Sequence, residues 1–175
     1  DIGVKASEVS IRPEIKMPKT VNFTSASDIG ALLTSSMVAL KGPVAKVKSS
    51  NGPDVAAFSW ETGDLFGSAE QRPFGSQAEF DIFVNQYISK TEGRCVGEFA
   101  AVPVMDKQTG TINVSAYEIA CIGDEISASA SLVFFSENGL FTTMAHESSV
   151  DSMDVAMETR DKVVARLLMT KIASK

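Results

Sequence analysis

The sequence predicts an α+β fold: an antiparallel β-sheet meander flanked by helices as an α/β/α sandwich, with a long C-terminal helix. Three features carry this reading. Between residues 94 and 147 four strand-like runs follow one another with only short turns between them. Residues 150–172 then place Met153, Ala156, Met157, Val163, Val164, Leu167 and Leu168 at helical spacing. The first two of the four runs are apolar on both faces, with Phe99, Tyr117 and Ile119 on one and Val96, Val102, Ile112 and Val114 on the other, so helices must cover the sheet on each side.

The elements follow in order along a chain of 175 residues, a length natural for a single domain spanning 1–175. Residues 1–24 form an irregular N-terminal segment in which Pro13 and Pro18 break any helix, while Ile2, Val4, Val9 and Ile11 suit a short edge strand. Ser25-Ala26-Ser27-Asp28 offers a Ser N-cap and an acid in the first turn, opening a helix that should run to Leu40 and stop at Lys41-Gly42-Pro43. Residues 44–48 and 55–60 read as strands around the turn Ser49-Ser50-Asn51-Gly52-Pro53. Residues 62–75, rich in Gly and closed by Pro73, read as a loop. Ser76-Gln77-Ala78-Glu79 is a capping box that starts a helix with Phe80, Phe83, Val84 and Tyr87 on one face, ending near Gly93. The meander runs over 94–104, 111–121, 126–136 and 140–147, its second hairpin turning at Asn138-Gly139, the preferred pair for a type I′ turn. The closing helix begins near Asp151 and Asp154, acids suited to a helix N-terminus.

Folding the first hairpin about Gln108 places Cys95 opposite Cys121, Phe99 opposite Tyr117 and Val102 opposite Val114. Facing residues on neighbouring strands lie within reach of a disulfide. A Cys95–Cys121 bridge implies an oxidising compartment, either the periplasm or the secreted route. The alternative is a pair of buried thiols. The chain starts at Asp1 rather than Met, as it would after removal of a signal peptide, although an arbitrary boundary looks the same.

Candidate sites are few. The same register sets Glu98 opposite Glu118, a carboxylate pair suited to sharing a proton or simply a solvated rim. His146, the only histidine, faces Ser131 in the second hairpin; with Glu147 and Asp151 these are the catalytic candidates if the protein is an enzyme. No G-x-S-x-G elbow and no H-E-x-x-H is present, so neither a hydrolase nor a zinc site is specified, and no metal or cofactor is expected. A histidine at a strand end, bonded to the start of the last helix, explains His146 equally well. Asp151, Asp154, Glu158 and Asp161 make an acidic stripe on the last helix, either a solvated face or a binding surface. Trp60, Phe66 and Phe74 could line a groove or pack in the core. Asn22-Phe23-Thr24 and Asn113-Val114-Ser115 match the N-glycosylation pattern.

The net charge of −6, with Lys41, Lys46 and Lys48 the nearest thing to a basic patch, argues against nucleic acid. No run of about 20 apolar residues is present to span a membrane. From Val55 to Ile172 the order of elements, with Leu140-Phe141-Thr142-Thr143-Met144-Ala145-His146-Glu147 running into the last helix, resembles the Mog1/PsbP-like superfamily. The resemblance implies a non-catalytic role as an accessory, assembly or protein-binding domain, and transfers no site residues. The sequence therefore leads to a non-enzymatic exported protein whose partner is another protein. Two alternatives stay open: a small hydrolase or metal-dependent enzyme centred on His146, and an acidic inhibitor or immunity-type protein that binds a basic partner. The sequence leaves the oligomeric state undetermined.

Overall fold

The four-strand run read from the sequence is the larger part of a seven-stranded antiparallel sheet. The computed structural model describes residues 25–108 and 112–173; the expected N-terminal edge strand and the Asn22 sequon lie outside the described residues. Helix α1 (Ala26–Ser35) is followed by strands β1 (Ala45–Val47), β2 (Ala56–Thr62) and β3 (Leu65–Pro73). Helix α2 (Gln77–Arg94) leads to β4 (Glu98–Gln108), β5 (Asn113–Ile122), β6 (Ser127–Glu137) and β7 (Leu140–Ser149). A short 3₁₀ turn (Val150–Ser152) then enters α3 (Met153–Ala173). The spatial order is β1-β2-β3-β7-β6-β5-β4, so two meanders are joined where β3 pairs with β7.

Period-two alternation sends each strand's side chains to opposite faces, and a different helical layer covers each. On one face α1 and α3 bury Ile29, Leu33, Val163 and Leu167 against Phe58, Val114, Val133, Phe135 and Met144. On the other, α2 buries Phe80 and Val84 against Ile119, Leu132, Phe134 and Phe141. The rings of Phe80, Phe83 and Phe134 all meet that of Phe141, with centroids 5.2–6.1 Å away. The expected three-layer sandwich is therefore present.

Local chemistry explains most of the boundaries. The Ser76–Glu79 capping box forms, with Glu79 accepting the Ser76 N–H at 3.2 Å. Asn138 and Gly139 have φ of 57° and 75°, the two left-handed residues that a type I′ turn needs. The β6–β7 register then follows as expected, with Ser131 facing His146. Helix α1 stops five residues short of the expected Leu40 because a Schellman motif closes it. Val38 N–H reaches the Leu33 carbonyl, Met37 N–H reaches that of Thr34, and Met37 takes the left-handed conformation at φ 67°.

Two expectations are corrected. Residues 62–75 are not a loop: β2 runs to Thr62, turns through Gly63 at φ 57°, and returns as β3, an interior strand of the sheet. Its inward residues are Leu65, Gly67, Ala69 and Gln71, and the small or polar character of the last three hid the alternation. The first hairpin is shifted by four residues: Phe99 faces Cys121 instead of Tyr117, and Val102 faces Glu118 instead of Val114. Its turn is longer than a fold about Gln108 allows, since Gln108 pairs with Asn113, and a bulge between Pro103 and Met105 resets the pairing. Glu98 consequently faces Ile122, and the expected Glu98–Glu118 carboxylate pair does not form.

Cys95 and Cys121 are nevertheless disulfide-bonded, with Cα atoms 5.7 Å apart. Cys95 is not on a strand but is the C-cap of α2, so the bridge ties that helix end to β5. Between them the chain turns at Gly97 (φ 146°), where any Cβ would strike the Ile122 carbonyl.

Candidate functional site

The chemistry-bearing side chains of the sheet fall on one line of facing positions beneath α3. Trp60 on β2 faces Gly67 on β3, Gly67 faces His146 on β7, His146 faces Ser131 on β6, and Ser131 faces Glu118 on β5. All lie on the face that α1 and α3 cover.

Gly67 makes the line possible. A Cβ there would lie 2.7 Å from Trp60 Cδ1 and closer still to the rest of the pyrrole edge. The indole therefore lies across the β3 backbone and reaches the next strand but one. Trp60 Nε1–H donates to His146 Nε2 at 3.1 Å, and the rings meet edge-on at 5.5 Å. His146 is 1% exposed and Trp60 is 3% exposed. With Nε2 accepting, the neutral imidazole carries its proton on Nδ1. Burial lowers the His146 pKa from 6.5 to about 4.

The second half of the line is ionic. Ser131 Oγ–H donates to the Glu118 carboxylate at 2.8 and 3.0 Å, and Arg160 Nη1 donates to Glu118 Oε1 at 2.6 Å. Arg160 comes down from α3 and is 2% exposed; its Nε and Nη2 are held by Asp161 Oδ1 at 3.1 and 3.0 Å. Burial raises the Glu118 pKa, while the bonds from Ser131 and Arg160 and the charge of Arg160 pull it down and Asp161 pushes it up.

This geometry decides what the catalytic candidates do. Ser131 and His146 are neighbours, but the serine gives its proton to Glu118 and the histidine lone pair is taken by Trp60. The Ser–His relay that would activate a nucleophile is not made. Glu147 is exposed and its position alternates to the opposite face, and Asp151 is exposed on the 3₁₀ turn, so neither joins the line. Among the described residues no group of three or more His, Cys, Asp or Glu is placed to hold a metal ion.

The binding candidates separate. Trp60 is core. Phe66, facing Glu147, is exposed on the α2 side, and Phe74 is half-buried against Phe80 and Phe141, so the three share no groove. Asp154 and Glu158 are exposed on α3, while Asp161 is exposed but engaged by Arg160. Asn113 is buried on β5 and donates to Ser136 Oγ at 2.9 Å, which removes it as a glycan acceptor in the folded chain.

Sequence reading missed Arg160 and Gly67. Arg160 was legible in principle, since it stands with Ala156, Val163 and Leu167 at the spacing of the buried stripe. Gly67 carried no signal until β3 was known to be a strand.

One further surface stands out. Where α3 packs mainly over β5, β6 and β7, the outer part of that sheet face carries Val102, 55% exposed, and Ile122, 46% exposed. Exposed Ala100 and half-buried Ala120 lie between them in the register. Val96 and Ile126, both well exposed, flank the loop at Gly123. No helix of the described residues is long and apolar enough to cross a membrane. Compared with known proteins, the chain matches no family model and no curated sequence.

Proposed function

We propose that this chain is a non-enzymatic accessory domain of an exported class that acts by binding another protein. The observation that carries the reading is the uncovered apolar strip Val102–Ala100–Ala120–Ile122 at the β4–β5 edge. Exposed apolar side chains contiguous across two strands suit contact with a partner protein. The β4 edge itself carries Pro103 and a bulge, both of which discourage strand addition, so the contact falls on the sheet face. The Cys95–Cys121 bond supports a periplasmic or secreted setting. The order of elements supports kinship with the Mog1/PsbP-like superfamily and its accessory roles.

The test replaces Val102 and Ile122 by Lys and maps contacts with a photo-crosslinker placed at Ala100, in cells that export the chain. Both side chains are about half exposed, so folding and Tm should hold while crosslinked partners disappear. Undiminished crosslinking by the Val102→Lys/Ile122→Lys protein would refute the reading. The acidic-inhibitor alternative rests on the exposed Asp151, Asp154 and Glu158 of the α3 start. It predicts instead a complex that weakens steeply with salt and survives the two Lys substitutions.

A further inference from the structure

We propose that the Trp60–His146 pair is an acid-sensitive catch for the helical layer formed by α1 and α3: proton uptake by His146 breaks its bond to the indole and loosens the packing of that face. The reasoning starts from donors and acceptors and is independent of the proposed function. In the closed state the Nε2 lone pair holds the Trp60 N–H. A proton on Nε2 turns the acceptor into a donor, and two N–H groups then point at one another in a site closed to water.

Among the described residues, no position facing His146 carries a carboxylate to pair with the imidazolium. From β3 the facing residue is Gly67, with Trp60 of β2 beyond it, and from β6 it is Ser131, whose proton is committed to Glu118. The charged groups in the line are Glu118 from β5 and Arg160 from α3, already matched to one another, with Asp161 on the outer side of Arg160. Glu147 and Asp151 are exposed to solvent. The indole cannot swing freely either, because it lies against the β3 backbone in the notch left by Gly67. Relief comes from moving Trp60, and with it the packing of Phe58, Val163 and Leu167 in the same cluster. Burial keeps the proton off until about pH 4, so the catch is closed at neutral pH. Burial raises the pKa of Glu118, so its proton uptake favours the folded state, the opposite sign from His146.

The chain has one Trp and one His, so indole emission and the imidazole NMR signals each report a single site. The experiment titrates the intact 175-residue chain from pH 8 to 3.5, following both signals together with hydrogen exchange. The imidazole should titrate near pH 4. Trp60 emission and exchange of the β2 and α3 amides should change with the same midpoint, exchange rising at least tenfold, and neutralisation should reverse all of it. His146→Gln keeps an acceptor for the indole but cannot gain the proton, so its emission should stay flat across the range. The proposal is overturned if the transition persists in His146→Gln, or if His146 titrates while α3 exchange stays constant. Should His146→Gln not fold, the unsubstituted protein decides: coincident midpoints support the catch and separated midpoints refute it.

Discussion

Gly67→Ala is the smallest change that tests the geometry of the buried line. The added methyl would overlap the Trp60 indole, so either the ring or the β3 backbone must move. Overpacking a core of this kind costs about 1–3 kcal/mol. Losing the Trp60–His146 bond leaves a buried donor and a buried acceptor unmatched, which adds about 1–3 kcal/mol. Replacing Gly by Ala in a strand returns about 0.5–1 kcal/mol of backbone entropy. The net expectation is a loss of about 2–4 kcal/mol, or roughly 5–15 °C in Tm for a chain of this size. Urea unfolding followed by emission of the single Trp measures the loss and the displacement together. Gly93→Ala is the control: it is the same substitution in α2 with nothing within 4 Å of the new methyl, and it should stabilise by a few tenths to about 1 kcal/mol. A Gly67→Ala protein within about 0.5 kcal/mol of the original, with unchanged emission, would show that the indole does not lie where the structure puts it.

Four more outcomes are expected. Cys95→Ser with Cys121→Ser should lower the unfolding free energy by about 3–4 kcal/mol, the loop-closure value for a separation of 26 residues, as read from denaturant midpoints. Met37→Gly should raise it by about 0.5–1 kcal/mol, because an exposed Met now holds the left-handed position that Gly adopts without strain. The difference in stability between the original protein and His146→Gln should be full above about pH 6.5 and shrink by about 3 kcal/mol as the pH falls to about 4, because the unfolded histidine takes its proton first. Burial raises the pKa values of Glu118 and Glu137, which therefore contribute with the opposite sign, so denaturation curves for the two proteins must be compared at each pH. Arg160→Met should cost about 3–5 kcal/mol by stranding the Glu118 carboxylate, and adding Glu118→Gln should recover a substantial part of it in a double-mutant cycle.

What could be read in advance followed from how strongly each turn constrains its strands. Asn138-Gly139 admits one tight turn, and the whole β6–β7 register follows from it, including Ser131 opposite His146. The longer β4–β5 connection fixes nothing by itself, and the bulge beside Pro103 adds a residue that no pattern announces. Beyond the bulge the shift of four kept Phe99 and Val102 on their expected faces, so the two-sided apolar pattern still led to the right number of layers, whereas nearer the turn the shift is five and Met105 joins the α1 and α3 face. The disulfide was inferred from a register that does not exist; it forms because the end of α2 descends onto β5. Strand β3 was hidden because its inward face is built from Gly67, Ala69 and Gln71, residues that carry no hydrophobic signal. The site residues were partly legible: the His146–Ser131 juxtaposition was visible, but the partners that engage each of them, Trp60 and Glu118 with Arg160, come from three other elements.

The buried polar line also accounts for a choice that burial alone leaves open. The β3–β7 pair joins the two meanders, and no tight turn links those strands to set their register. A slip of two residues would keep every apolar side chain on its own face, so hydrophobic contact discriminates weakly against it. The same slip would put His146 opposite Leu65 or Ala69 in place of Gly67, and Gly67 opposite Met144 or Ser148. A residue with a Cβ would then separate His146 from β2, while the indole lying over Gly67 would meet a thioether or a hydroxyl instead of the imidazole. Buried polar pairs add little stability over an apolar replacement, but they penalise the wrong alignment heavily. The contact among Trp60, Gly67 and His146 is therefore made in this register and would be broken by a slip of two residues in either direction.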